Sequence, residues 1–579
     1  MSEIKNVFEH QLFRLRTTDG EPVSKSFKEL MTEPDAPYTM DYAQAFYDVA
    51  ALNLMSFLAQ LAFEPESGGD LVERLSTPMS EAEFDAGIAP LRLRCALNGS
   101  GPRFMQAPEP FDEKKAAGVD VAVFISAKGD RQFLHRADTD WAVPLDQAGL
   151  FLFARNTFYE GTAGRGYQKG TNGDTPVRVM VTKPAVRDAI WLRQTIWLNV
   201  LSAEQQKKYP GAYADRAALR DGEYDGLFWS DPPAEDVIAG GSTLRAGLGW
   251  MSAYHWLWYE EAEGICPLTG EAVSGRVARK ASKRSTGIGY GTGGDIDSGT
   301  RADRLFRHPN VPNQKRRDRK TKEVVGEAPT MVHRMEGLTS AVGATFFGGR
   351  SLNDGAAFVL APAVDQTYSE RLKNWFYDNG THPMAMVFGF HMLSNQKNVH
   401  GGIEMDSFRL PLVGENEPET SAINEIGSDI LHKASTFAEE AGRKLAQAVQ
   451  RTVGAGVRSE IVEDGVIRIK PKLESTPSVD DPFGRDVLAA YWRYVRLRLA
   501  QLAARVATDA SDGPGALIMV SDERVHEFEE DVIREIRQLY SPVFDHHSTL
   551  PRTMPYAFTA KRMLNSALKK IRSFQPEAV

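Results

Sequence analysis

"INEIGSDILHKASTFAEEAGRKL", residues 423–445, decides the fold of the C-terminal part of this chain. Its apolar residues recur every three or four positions, at Ile423, Ile426, Ile430, Ala434, Phe437, Ala441 and Leu445. This spacing puts them on one face of an α-helix. The same pattern returns in three later stretches, at 488–506, 525–539 and 557–571. Four successive amphipathic helices predict a helical bundle, which we assign to residues 416–579.

The first 415 residues mix helical and strand patterns. Broad apolar faces at 42–63 and 186–209 predict two buried helices. The runs "MAMVFGF" at 384–390 and "IEMDSFRL" at 403–410 predict the two strands of a hairpin, and the alternation around "VIRIK" predicts a smaller hairpin within the C-terminal part. The predicted fold class is therefore α+β, with a large mixed α/β N-terminal globular domain over residues 1–415 and a C-terminal four-helix bundle.

Composition excludes several classes of protein. The apolar runs are short and broken by charge, so no membrane span is predicted. Two cysteines, Cys95 and Cys266, cannot build a disulfide framework, and the N-terminus lacks an apolar region followed by a cleavage site. These features predict a protein of the reducing cytoplasm.

The charge of the chain is distributed unevenly. The formal net charge is −9, yet between Arg276 and Lys322 there are 14 Lys or Arg residues and only 4 Asp or Glu residues. Such a segment predicts a patch that attracts anions such as phosphate, although a solvated loop that binds nothing in particular remains the alternative. The cations that we expect to contact phosphate are Lys280, Lys283, Arg284, Arg301, Arg304, Lys315, Arg316, Arg317, Arg319 and Lys320.

Two other segments have the chemistry to contact a polynucleotide. A glycine-rich loop places Arg165 between Gly164 and Gly166, where the backbone can approach a ligand closely and an arginine can enter a narrow minor groove. Between the two predicted hairpin strands lies a polar tip, with Gln396 flanked by Asn395 and Lys397. A neutral glutamine both donates and accepts hydrogen bonds, although an ordinary surface turn would have the same composition.

Signatures of catalysis are weak in this sequence. No phosphate-binding G-x-x-x-x-G-K-[ST] is present, and Cys266 has no partner at zinc spacing. The triplet "DHH", Asp545 to His547, could supply metal ligands, but adjacent histidines diverge on a helix. We therefore predict no catalytic residues, no metal and no cofactor. A metal-dependent nuclease and a purely structural scaffold remain the alternative functions.

Several segments, taken in chain order, resemble the CasA family, the large subunits of type I-E Cascade complexes. The matching segments are "RFMQAPEP" at 103–110, "VFIS" at 123–126, "GRGYQKGTNGDTPVRVMV" at 164–181, "LRQTIWLNVL" at 192–201, "GLFW" at 226–229, "RHPNVP" at 307–312, "SNQKN" at 394–398 and "INEIG" at 423–427. Their shared order over nearly the whole chain is more specific than any one of them.

This resemblance implies a non-enzymatic, DNA-binding subunit of a CRISPR complex for antiviral defence. Its partners would be the guide RNA (crRNA), double-stranded target DNA, the backbone, small and crRNA-end-binding Cas proteins, and the Cas helicase-nuclease. The family reads a short flanking motif, the PAM, and opens the duplex for R-loop formation. Gln396 matches its wedge glutamine, the loop from Gly164 to Gly166 its minor-groove loop, and Phe124 lies in the segment that contacts the guide's 5′ end.

The sequence also departs from the family pattern. Relatives can have glycine where this chain has Arg165, which implies a different preferred flanking motif. The family's lysine finger should fall between Lys280 and Arg304, and Cys266 stands alone where some relatives carry a cysteine cluster.

Overall fold

A computed structural model describes most of the chain. The described residues are 4–119, 140–158, 178–186, 188–221, 223–233, 241–251, 253–285, 306–317, 321, 324–329, 358–381, 383–392, 403–411, 418–453, 457–461, 467–471, 482–510, 514–550 and 554–572. The chain forms two compact units, one of Met1–Val332, Val359–Phe390 and Met405–Leu412, the other of His333–Phe358, His391–Glu404 and Val413–Val579. The predicted domain limits, 1–415 and 416–579, stay a prediction.

The helices of the first unit are short except for two. They are α1 Phe27–Thr32, α2 Ala45–Ala62, α3 Gly68–Ser76, α4 Glu81–Ile88, α5 Leu145–Phe158, α6 Leu192–Leu198, α7 Ala203–Gln206, α8 Leu244–Leu248, α9 Pro362–Thr367 and α10 Glu370–Asp378. The predicted buried helix at 42–63 is confirmed as α2. The single helix predicted at 186–209 is wrong: this stretch contains a short strand, α6 and α7. Helix α6 ends at Leu198, and the extended Ser202 caps the start of α7, because its side chain accepts a hydrogen bond from the Gln205 N–H at 3.1 Å.

Fourteen strands of the described residues precede the C-terminal helices and form four sheets. The strands are β1 Gln11–Thr17, β2 Pro22–Ser26, β3 Pro37–Met40, β4 Ala117–Gly118, β5 Val143–Pro144, β6 Arg178–Thr182, β7 Ile190–Trp191, β8 Ala253–Ile265, β9 Ala272–Ser285, β10 Asn313–Arg317, β11 Val324–Pro329, β12 Phe358–Val359, β13 Met384–Met392 and β14 Ile403–Pro411. Their orders are β2-β1-β3-β7, β4-β9-β5 with β8 also on β9, β11-β10-β12, and β14-β13-β6. The two strands predicted around the polar tip are therefore confirmed as β13 and β14.

Helix α2 lies at the centre of the first unit. It contacts α5, α6 and α8, and the Phe57 ring stacks on Phe153 with centroids 5.8 Å apart. Trp229 meets the same Phe57 ring edge-on at 6.5 Å. By length and composition α2 could span a membrane, but 83% of it is buried inside the protein, as in a core helix.

Long helices dominate the second unit. They are α11 Pro418–Val453, α12 Pro482–Ala510, α13 Pro514–Ser548 and α14 Met554–Lys570, with the hairpin strands β15 Val457–Ile461 and β16 Ile467–Pro471 between α11 and α12. Helix α11 contacts the other three helices. The Tyr491 hydroxyl donates to the Ala438 carbonyl at 2.7 Å, and the Thr452 and Tyr540 hydroxyls lie 2.6 Å apart. The helices predicted from the apolar stripes and the small hairpin are confirmed, as is the α+β fold class with a C-terminal helical bundle.

Candidate nucleic-acid interface

Strand β6 connects two of the predicted DNA-binding segments. It begins at Arg178, soon after the glycine-rich loop, and pairs antiparallel with β13, so that Arg178 lies opposite Phe388 and Thr182 opposite Met384. The start of β6 therefore lies beside the part of β13 that leads towards the polar tip. The predicted sites at 164–166 and 395–397 themselves lie outside the described residues.

The edge of β6 that does not pair with β13 is occupied by an asparagine side chain. Asn199, just after α6, accepts a hydrogen bond from the Val181 N–H through Oδ1 at 2.9 Å. Its Nδ2 donates to the Val181 carbonyl at 2.7 Å and to the Thr195 carbonyl at 2.8 Å. A side-chain amide carries the same donor and acceptor as a peptide group, so Asn199 takes the place that a neighbouring strand would occupy.

A second asparagine continues this arrangement along β6. The Val179 N–H donates to the backbone carbonyl of Asn310 at 2.7 Å, and the Asn310 Nδ2 donates to the Val179 carbonyl at 3.2 Å. The same Nδ2 donates to the Asn199 Oδ1 at 2.7 Å. Each asparagine is only 2% exposed. We call Asn199 and Asn310 the amide clamp, because together they satisfy the buried backbone groups of Val179 and Val181.

The amide clamp also fixes the start of a basic strand. Asn310 lies three residues before β10, which begins at Asn313. Its N–H donates to the His308 Nδ1 at 3.1 Å, and the neighbouring Pro309 carbonyl accepts from the Ala363 N–H at 2.9 Å. The first residue of β6, the part of β13 paired with it and the residues just before the basic strand β10 thus lie close together.

Arg178 joins the two ends of the segment that contains the glycine loop. Its guanidinium contacts His308 and donates to the carbonyl of Thr157, near the end of α5, at 3.5 Å. The side chain is completely buried, and burial lowers the pKa of Arg178 to about 9. The guanidinium therefore stays charged at neutral pH, and its contacts hold the last turn of α5 close to the first residue of β6.

The predicted basic segment is divided between two sheets. On β9, Lys280, Lys283 and Arg284 lie opposite Trp258, His255 and Tyr254 of β8. On β10, Lys315, Arg316 and Arg317 lie opposite Glu327, Gly326 and Val324 of β11. Lys280 is exposed and pairs with Glu113 at 3.4 Å. The predicted residues Phe124, Arg301, Arg304, Arg319 and Lys320 lie outside the described residues, and all the phosphate contacts stay predictions.

The motif around Asn199 also contains a buried arginine that the sequence did not single out. Arg193 is 3% exposed, and its Nε and Nη2 donate to the two carboxylate oxygens of Asp35 at 2.6 and 2.7 Å. It also donates to the Leu75 and Thr77 carbonyls, each at 3.1 Å. These bonds connect α6 to the residues around α3, so this part of the motif serves the packing of the first unit.

The histidine pair considered as metal ligands lies at the end of α13. The His546 and His547 rings meet edge-on with centroids 4.9 Å apart, and Asp545 accepts a hydrogen bond from the Ser541 hydroxyl at 3.3 Å. Within the described part of the chain, no three His, Cys, Asp or Glu side chains group as the ligands of one metal ion would.

Comparison with known proteins identifies the family. The sequence profile of CRISPR-associated protein Cse1 matches residues 13–527, which is most of the chain. The chain therefore belongs to the Cse1 family, the class of large subunits of type I-E Cascade that the sequence resembles, and the predicted recognition is confirmed. It is accordingly a Cascade subunit. The comparison with curated proteins found no match.

Solved structures of other family members have the same fold. Thermobifida fusca Cse1 is 14% identical, with a TM-score of 0.63 and 98% of each chain covered. CasA of Thermus thermophilus is 15% identical, with a TM-score of 0.58, over 98% of this chain and all of that one. A chain of a structure described as a CRISPR RNA-guided surveillance complex is 14% identical, with a TM-score of 0.54, over 97% and 99% of the two chains. Since each match covers 97–98% of this chain, the likeness in fold is not limited to one of its two units.

Proposed function

We propose that this chain is the non-catalytic subunit that recognises the PAM in double-stranded DNA within a crRNA-guided Cascade complex in the cytoplasm. It would promote strand opening and R-loop formation, and help to recruit the Cas helicase-nuclease. The observation that supports this proposal is the pairing of β6 with β13 and the bonding of Asn310, just before the basic strand β10, to β6. The glycine loop before β6, the polar tip after β13 and β10 would then contact one short stretch of duplex together.

The proposed roles follow from the chemistry of each segment. Arg165, between Gly164 and Gly166, would sense the width of the minor groove and the presence of a guanine amino group. Gln396 would replace the hydrogen bonds of the base pair that it separates, while Asn395 and Lys397 hold the backbone. The cations of β9 and β10 would contact phosphates, which add affinity without sequence information.

The RNA-binding part of the proposal concerns another segment. Phe124 would contact the 5′ end of the crRNA, and the bundle of α11 to α14 would lie against other Cascade subunits. These roles come from the family resemblance, together with the membership of the chain in the Cse1 family.

Strand opening by the polar tip can be tested with a Gln396→Ala variant assembled with guide RNA and the other Cascade subunits. R-loop formation would be measured on a fully paired target and on a target with a pre-opened bubble beside the flanking motif. We expect the variant to bind duplex at first encounter but to open it slowly, and the bubble to restore the wild-type rate.

A neighbouring amide supplies the matched control. Asn398→Ala changes a polar residue of the same tip that has no proposed role as the wedge, and it should behave as wild type on both targets. If the bubble fails to rescue Gln396→Ala while both variants remain folded, the wedge role is wrong.

A further inference from the structure

Strand β8 carries two tryptophans on its outer face. Trp256 and Trp258 are two residues apart and therefore point to the same side of the strand, and both are partly exposed. Leu257 between them points the other way and is 1% exposed. The two indole rings lie with centroids 6.3 Å apart. Two adjacent aromatic rings that both reach the surface form a contiguous apolar patch, and such patches mark binding sites more often than single exposed residues do.

Hydrogen bonding and strand pairing hold these rings in place. Ser282 of β9 lies opposite Trp256, and its hydroxyl accepts a hydrogen bond from the Trp258 indole N–H at 3.1 Å. Ser282 is itself buried. The Trp258 ring is therefore oriented before any ligand arrives, which lowers the entropic cost of binding.

Cations accompany both rings. The Arg103 guanidinium lies over the Trp256 ring, 4.5 Å from its centroid. Lys280 lies directly opposite Trp258 on β9 and is exposed. We call Trp256, Trp258, Arg103 and Lys280 the tryptophan platform. Its combination of aromatic faces and positive charge matches a ligand that has both flat rings and negative charge.

Space beside the platform is left open by a glycine. Strand β9 pairs with β8 along one edge and with β4 along the other, where Lys280 lies opposite Gly118. Gly118 is exposed and has no side chain to cover the sheet. Lys280 pairs with Glu113 at 3.4 Å, and both side chains are about half exposed. Such a surface ion pair contributes little free energy, so a phosphate group can take the place of the carboxylate.

We propose that the tryptophan platform binds a single-stranded polynucleotide, with one base stacked on Trp258, another on the Arg103 guanidinium that covers the Trp256 ring, and a phosphate held by Lys280. A duplex would not use the rings, because its base faces are already stacked inside the helix. This inference goes beyond the proposed recognition of a duplex flanking motif, which shares only Lys280 with the platform. RNA and DNA share the base face and the phosphate, and the experiment distinguishes between them.

Binding can be measured with the purified full chain and fluorescein-labelled oligo-dT and oligo-U of about 12 nucleotides, by fluorescence anisotropy. Trp258→Leu should weaken binding of at least one strand about fivefold or more, since each stacked base contributes substantially. Trp258→Phe keeps an aromatic face and should bind within about twofold of wild type. The matched control is Tyr377→Leu, which removes an 84%-exposed aromatic ring from α10 of the same unit.

An abasic strand of the same length separates stacking from charge. It should bind wild type as weakly as the base-bearing strand binds Trp258→Leu. Tighter binding of oligo-U than of oligo-dT, or the reverse, would support the platform and identify the strand. Equal binding of abasic and base-bearing strands, an unchanged affinity of Trp258→Leu, or no single-strand binding by wild type would each overturn it. Duplex binding, measured in parallel, reports separately on the proposed flanking-motif function.

Discussion

Polar side chains stabilise the two units in different ways. In the first unit, Arg193, Asn199 and Asn310 make their hydrogen bonds almost completely buried. In the second unit, the arginine–carboxylate pairs between α12 and α13, such as Arg498 with Asp531 at 2.7 Å and Arg505 with Glu527 at 3.0 Å, remain partly exposed to solvent. These buried side chains of the first unit should therefore contribute more to the free energy of unfolding than these partly exposed ion pairs of the second unit.

The difference follows from how each unit is built. The helices of the second unit bury continuous apolar stripes, so their surface ion pairs add little. In the first unit, short strands and loops have backbone groups that helices or neighbouring strands do not satisfy, and buried amides and guanidiniums pair with them instead. Loss of one such partner leaves a buried backbone group unpaired. In the amide clamp, the partner also fixes where the candidate DNA-binding strand β10 begins.

The largest effect on stability should come from Arg193→Met. The substitution removes the bonds to Asp35 and to the Leu75 and Thr77 carbonyls. We expect a loss of about 3 kcal/mol in unfolding free energy, because the partners lie mostly inside the protein. Thermal unfolding would show the first unit melting earlier. Arg92→Met, at a more exposed ion pair with Glu9, is the control, and equal shifts for both variants would contradict the comparison.

A smaller and pH-dependent effect is expected at Asp48 on α2. Burial raises the pKa of Asp48 to about 7, while the Tyr42 N–H that donates to it at 3.3 Å acts in the opposite direction. The folded protein keeps this proton to higher pH than the unfolded chain, so stability should fall as pH rises from about 4 to about 7. Asp48→Asn should flatten this dependence in unfolding measurements. If Asp48→Asn left the pH profile of the unfolding free energy unchanged, ionisation of the buried Asp48 carboxylate would not destabilise the fold, and the prediction would be wrong.

The smallest effect should come from the second unit. Arg524 pairs with Asp509 at 2.9 Å and with Glu527 at 3.4 Å. Arg524→Gln should lower the unfolding free energy by less than about 1 kcal/mol, since the pairs lie near the surface. Denaturant unfolding would measure it. A loss as large as that of Arg193→Met would remove the distinction between the two units.

Local patterns explain which parts of the fold could be predicted. The four helices of the second unit and the hairpin strands β13 and β14 repeat an apolar period within a few residues, and the structure contains them. The stretch 186–209 failed because Asn199 and Ser202 look like ordinary polar residues of a helix surface. Their side chains instead bond to backbone groups, Asn199 at the end of α6 and Ser202 at the start of α7.

The candidate interface shows a second limit of sequence reasoning. Its binding segments stood out by composition, but the residues that hold them in place did not. Asn199 and Asn310 are 111 residues apart in the chain, and their side chains bond directly to each other beside β6. The motifs "LRQTIWLNVL" and "RHPNVP" contain them. The family resemblance therefore identified these two segments, but it did not show that their asparagines bond to β6. A hydrogen bond between such distant amides has no periodic signature in one sequence.

The central claim is that the amide clamp positions the candidate DNA-binding segments. The most direct test is the affinity of the assembled complex for a duplex with its flanking motif, measured well below the unfolding temperature. Asn310→Ala removes the side-chain bonds to Val179 and Asn199 and should weaken binding about tenfold. Asn53→Ala, which removes a buried amide that bonds to Val49 within its own helix, should leave affinity within about twofold. If Asn310→Ala lowers stability but binds the duplex as tightly as Asn53→Ala, the claim is wrong.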